Sequence, residues 1–184
     1  MKKLLTIVDM QNDFVIPGMA LPVPGADKII LPTNEFLAAA KFDKTIATFD
    51  THYKKSYAKS DEAKMFPLHC VYGTKGWRLA INAADAIPVL KGKFSVWEKP
   101  GKMEAALAGF MPENTDVFVL GVASDFCVRY AIDGFLKRGY NVTIISDLCR
   151  GIENQIDAVA NDFNNEKLKI ANSAYVMKNL FHVK

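Results

Sequence analysis

The chain has 184 residues, 50% hydrophobic and 23% charged, with a formal net charge of +3. That length bounds it to a single domain spanning residues 1–184, with enough chain to bury roughly two-thirds of its unfolded surface. The basic residues are scattered rather than clustered as in a nucleic-acid binder, no apolar run approaches the ~18–20 residues of a membrane span, and three cysteines make no disulfide framework. Residues 1–9 reach an acid too early for a signal peptide, which predicts a cytoplasmic protein.

In chain order, the apolar run 4–8 predicts a first strand ending at Asp9. Ile29, Thr33, Phe36, Leu37 and Ala40 form a weak amphipathic pattern, a helix that Pro32 starts or kinks. The run 45–49 predicts a second strand ending at Asp50, and residues 51–90 lack a clear period, a long excursion with short elements. Further strands are predicted at 94–97, 117–123 and 142–145, with a less regular run at 167–177. Between the fourth and fifth runs, Val128, Ala131, Ile132, Phe135 and Leu136 fall on one face of a helix closed by Lys137, Arg138 and Gly139. Ile152, Ile156, Val159, Ala160 and Phe163 predict another helix. Strands alternating with helices mean βαβ units, hence an α/β fold with a parallel sheet buried on both faces.

In such sheets the ligand crevice lies beyond the carboxyl ends of the strands, so the residues after each run are the candidates for chemistry. They are Asp9, Asp50, Lys99, the stretch Ser124-Asp125-Phe126-Cys127, and Asp147. Cys127 falls in the first turn of the strongest helix, where orphan N–H groups and the helix dipole favour a thiolate and should lower the thiol pKa. It reads either as a nucleophile, with Asp9 as base because no histidine lies within ten residues, or as a small buried hydrophobe. Asp50, His52 and His69 suit Zn²⁺, Fe²⁺ or Mn²⁺, against the plainer reading of surface or core histidines; His182 is in the tail. Phe14 and Phe66 read equally as core aromatics, and Asp13 and Asp27 as caps or turn acids.

Taken together, Asp9-Met10-Gln11-Asn12-Asp13-Phe14, Asp50-Thr51-His52, the segment 67–76 around His69, Lys99, and Gly121-Val122-Ala123-Ser124-Asp125-Phe126-Cys127-Val128 resemble the isochorismatase-like cysteine hydrolases, and within them the nicotinamidases. The resemblance implies a three-layer, Rossmann-like α/β sandwich around a six-stranded, mainly parallel sheet with helices on both faces. It implies a catalytic set of Asp9, Lys99 and Cys127, a cis peptide at Val122-Ala123, and an oxyanion hole from the backbone N–H groups of Ala123 and Cys127. It also implies a divalent metal, zinc first and iron or manganese next, on Asp50, His52 and His69, with Asp61 or Glu62 as candidate fourth ligand. Phe14 and Phe66 match the family's ring-stacking aromatics. The activity implied is hydrolysis of nicotinamide to nicotinate and ammonia through a cysteine thioester, a step of pyridine nucleotide (NAD) salvage. The partner is then a small-molecule amide, with no nucleic acid or membrane, and homo-oligomers occur in the family. Three departures stand out: Phe66 where tryptophan is common, Ser124 where threonine is common, and a short interval from Lys99 to Cys127.

Two other readings compete. One is a metal-free hydrolase of the same superfamily acting on another small amide or ester. The other is a phosphoacceptor receiver module, suggested by the strand-end acids, Ser124 and Lys99-Pro100; its hydroxyl should precede its lysine, whereas Lys99 precedes Ser124.

Overall fold

The protein is described from a computed structural model covering residues 1–99 and 101–181, so His182 lies outside the described residues. Six strands form one sheet in the order β3-β2-β1-β4-β5-β6, every pairing parallel. They are β1 (Lys2–Val8), β2 (Lys44–Asp50), β3 (Ile87–Lys91), β4 (Thr115–Val122), β5 (Asn141–Arg150) and β6 (Leu168–Ala171). The helices are α1 (Asn12–Val15), α2 (Ile30–Ala39), α3 (Lys54–Tyr57), α4 (Lys102–Ala106), α5 (Arg129–Lys137), α6 (Ile156–Asn161) and α7 (Ser173–Leu180). Among the described residues no helix is long and apolar enough to cross a membrane.

The chain winds outward from β1 through β2 to β3, then crosses back to β4 and winds the other way. Right-handed crossovers running in opposite directions place their helices on opposite faces, which makes the three layers. On one face, Phe42 joins Phe36 of α2 and Phe118 of β4 to Phe181 beside α7, with ring centroids 5.0–5.9 Å apart. On the other, α5 buries Ala131, Ile132, Phe135 and Leu136, the face that its periodicity predicts. Pro32 lies in the first turn of α2, where its missing N–H costs nothing, so it starts the helix. The run 167–177 splits: Asn172 ends β6 and caps α7, its side chain accepting the Tyr175 amide at 2.7 Å.

The third strand departs from the sequence reading. It is Ile87–Lys91, carrying Pro88, and a proline is tolerated there because β3 is an edge strand with pairing on one side only. The apolar run 94–97 is instead a loop packed on α5. Trp97 sits edge-on to Phe135 at 5.0 Å, donates its Nε1–H to the Ala131 carbonyl at 3.3 Å, and fits only because residue 134 is glycine, where a Cβ would collide with the indole.

Register then fixes the site. Val8 pairs with Thr48 and with Gly121, and Asp50 pairs with Lys91, so the carboxyl ends of β1 to β4 meet at one rim. The winding reverses between β1 and β4, the topological switch point where open α/β sheets bind ligands. Gly121, at φ +126°, lets β4 pass Val8 there, since a Cβ would strike the Val8 carbonyl.

Candidate active site

Asp9 follows β1 in a left-handed conformation (φ 48°) that aspartate tolerates better than most residues. It is fully buried and doubly tied to Thr48, whose hydroxyl donates to Oδ1 at 2.6 Å and accepts the Asp9 amide at 3.2 Å. Its Oδ2 lies 2.8 Å from the Lys91 ammonium, which also reaches Asp50 Oδ1 and Cys127 Sγ, each at 3.3 Å. Three donors thus meet three acceptors. Burial works against the Lys91 charge, but the Asp50 and Asp9 carboxylates outweigh it and hold its pKa well above the ordinary lysine range.

The lysine expectation is therefore corrected. Lys99 is exposed, in the loop after β3, and does not join Asp9 and Cys127; the buried Lys91, 36 positions before Cys127, does. The signal lay in Val89-Leu90-Lys91, an apolar run ending in a lysine, hidden by Pro88 and by the stronger run that follows. The short interval to the cysteine disappears with the correction.

Cys127 is buried in a wide helical turn, Ser124–Val128, that leads from β4 into α5. The Val122-Ala123 peptide before it is cis, as the resemblance implies. The expected lowering of its thiol pKa is not found. Burial pushes it well above the ordinary range, and the Asp9 and Asp50 carboxylates add to this, so the Lys91 charge only partly offsets the rise. Burial of the thiol is the largest influence on it, against which a helix terminus acts only locally.

Asp50, His52, Glu62 and His69 converge, with one donor atom from each lying within 4.8 Å of the others. Asp50 Oδ2 is 2.9 Å from His52 Nε2 and 3.0 Å from His69 Nε2, and the Glu62 oxygens stand 3.5–3.6 Å from the same nitrogens. His69 donates Nδ1–H to the Pro67 carbonyl at 2.7 Å, which turns Nε2 towards the centre in the form that ligates. Burial disfavours the charged ring of His69, yet its bonds to Asp50 and Glu62 raise its pKa to about 9. Gln11 fixes the Asp50 backbone, donating to its carbonyl at 2.9 Å and accepting its amide at 2.8 Å. Two imidazoles and two carboxylates, all buried, suit a divalent cation. Of the two candidates for the fourth position only Glu62 is present. The Asp61 side chain is 94% exposed and pairs with Lys64 at 2.7 Å.

A cavity of about 20 Å³ adjoins both groups, with Cys127, Asp50, Glu62 and His69 supplying its polar surface. Phe14 and Phe66, singled out in the sequence, line it. Phe94 and Phe126 complete the aromatic wall, packed on Phe66 at 6.2 and 5.5 Å and on each other at 5.3 Å. Leu21, Val23, Ala123 and Ile152 fill the remainder. That space is large enough to hold a water. In the sequence Phe94 falls in a run that predicts a strand and Ile152 in one that predicts a helix; neither carries a local signal for a pocket.

Residues 3–171 match the isochorismatase domain model. The chain belongs to the isochorismatase family. Among curated relatives within that family, a nicotinamidase of Acinetobacter baylyi is 30% identical over 177 residues, covering 81% of each chain. A pyrazinamidase of Pyrococcus horikoshii solved in complex with zinc is 30% identical, with a TM-score of 0.76 over 94% of this chain and 99% of its own. A protein of L. infantum solved in complex with nicotinate is 26% identical, with a TM-score of 0.80 over 94% of this chain and 93% of its own.

Proposed function

We propose that this isochorismatase-family protein is a cysteine amidohydrolase that converts nicotinamide to nicotinate and ammonia. The observation that carries the reading is the Lys91 ammonium joining Asp9 to Cys127 while also touching Asp50 of the two-histidine, two-carboxylate cluster, with Cys127, Asp50, Glu62 and His69 lining one aromatic cavity. The nicotinamidase relative and the nicotinate-bound neighbour support a pyridine carboxamide as the substrate.

In this mechanism Asp9, held by Thr48 and Lys91, removes the Cys127 Sγ proton and the sulfur attacks the carboxamide carbon. The oxyanion is received by the Ala123 and Cys127 backbone amides. As the tetrahedral species collapses, Asp9 returns the proton to the departing nitrogen, the C–N bond breaks and ammonia leaves a thioester on Cys127. Asp9 then deprotonates water, whose attack on the thioester releases the carboxylate and restores the thiol. Lys91 holds the Asp9 carboxylate in place and offsets the thiolate charge. Phe14 and Phe66, with Phe94 and Phe126, sandwich the ring and exclude bulk water. Asp50, His52, Glu62 and His69 would hold a zinc ion or a similar divalent metal, which supplies a Lewis-acid anchor for a ring nitrogen. The cluster is what disfavours the metal-free alternative, and the family membership disposes of the receiver module.

The test is ammonia release from nicotinamide by the purified protein beside Cys127→Ala, with metal analysis of the same samples. Release that vanishes in Cys127→Ala is expected; turnover retained by that variant refutes the mechanism. Metal-loaded protein silent on nicotinamide refutes the substrate.

A further inference from the structure

Asp125 takes no part in the chemistry above, yet its carboxylate is fully engaged. Oδ1 accepts the Ile152 amide at 3.0 Å, and Oδ2 accepts the Glu153 and Asn154 amides at 2.7 and 3.1 Å. Three consecutive N–H groups converging on one carboxylate make a charge-assisted nest. They belong to the turn that joins β5 to α6, outside any strand or helix, so the place of Ile152 depends on this clip. The turn is seated from its other end as well: a Cβ at Gly151 would collide with the Asn154 carbonyl and stand 3.2 Å from the Ser124 Cβ. Ile152 lines the same cavity as Cys127, and Asp125 is two residues from Cys127 on the turn Ser124–Val128.

We infer that Asp125 is a specificity-positioning residue, clipping the 151–154 turn so that Ile152 forms a fixed wall for the substrate ring at a set distance from the attacking sulfur. The inference rests on the aromatic-amide reading above and adds to it a determinant outside the reacting groups. One aliphatic carbon in a substrate pocket changes kcat/KM by roughly 10–200-fold, so a loosened isoleucine weakens ring binding without touching the proton transfers.

The experiment compares wild type, Asp125→Asn, Ile152→Ala and the double variant on nicotinamide, with amide hydrogen exchange of residues 152–154 and the rate of Cys127 alkylation by iodoacetamide measured on each. An asparagine replaces one of the two accepting oxygens with an NH₂, which points a donor at the amide or amides bound there. Asp125→Asn is therefore expected to raise KM about tenfold with kcat within about threefold, and to speed exchange of the three amides at least about tenfold. Alkylation should stay within about threefold of wild type. In the Ile152→Ala background Asp125→Asn should then change KM less than about twofold, because the wall it positions is gone. KM effects that multiply fully in the double variant, or a fall in kcat and alkylation with KM unchanged, overturn the inference. If Asp125→Asn does not fold, Gly151→Ala displaces the turn from its other end and must raise KM in the same way; an unchanged KM there overturns it too. The exchange is read without substrate and judges the clip by itself, whereas wild-type turnover judges the reading of function.

Discussion

Replacing Lys91 by methionine keeps the side chain's volume and removes its charge. Asp9 and Asp50, 0% and 1% exposed, then face each other's surroundings without the cation that touches both. Breaking a buried ion pair by deleting one partner costs about 3–5 kcal/mol, because the remaining charge stays desolvated. At roughly 2–4 °C per kcal/mol for a chain of this size, the midpoint of thermal unfolding should fall by roughly 6–20 °C. The rate suffers separately: without the ammonium the Asp9 carboxylate loses the group that holds it and the thiolate loses its counter-charge, so kcat should drop by about 10²–10⁴, the usual worth of a positioned acid–base group. The assay is ammonia release from nicotinamide at a temperature where each variant is folded, beside a melting curve. Lys99→Met, on the surface, should stay within about twofold of wild type in rate and about 1 °C in midpoint. A Lys91→Met enzyme within tenfold of wild type, or a Lys99→Met enzyme slowed a hundredfold, would refute the assignment of the lysine.

Glu62→Gln should weaken zinc binding about 10–100-fold in a competitive chelator titration, while Asp61→Asn leaves it unchanged; equal effects would remove Glu62 from the cluster. Chelation of metal from the loaded enzyme should lower the unfolding midpoint as well as activity, since a ligand that binds only the folded state stabilises it; an unaffected midpoint argues against a metal on these four residues. Because the Cys127 thiol is raised above its ordinary range and only the thiolate reacts, its alkylation by iodoacetamide should keep accelerating as pH climbs past the ~8.5 of a free thiol. A plateau below pH 8 would contradict that electrostatic picture. Gly121→Ala drives a Cβ into the Val8 carbonyl at a positive φ, so the variant should express poorly or melt at least about 6 °C lower, as circular dichroism would report.

Much of the fold is legible in the sequence because the informative residues sit where short apolar runs stop. Asp9, Asp50 and Cys127 each follow a strand with a clean hydrophobic signature, and α5 shows its buried face in its spacing. Lys91 escaped for a physical reason. An edge strand tolerates Pro88 and half exposure, which blurs its pattern, while the run 94–97 earned its hydrophobicity from packing Trp97 against Gly134 and Phe135, a contact made at long range. Glu62 and Asp61 are adjacent in sequence, and only the fold of the loop before His69 turns one inward and the other to solvent. The raised Cys127 pKa was out of reach as well, since the helix-terminus argument is local and the desolvation that overrides it is the work of the whole pocket.

The central claim is that Cys127 carries the acyl group, and the most direct measurement is rapid acid quenching of the enzyme during turnover of nicotinamide, followed by mass spectrometry of the peptide containing residue 127. The account predicts a transient gain of one nicotinoyl group on Cys127, formed within a turnover and absent from Cys127→Ala. Turnover with no acyl group on that peptide at any quench time, or an acyl group on Cys70 or Cys149 instead, would contradict it.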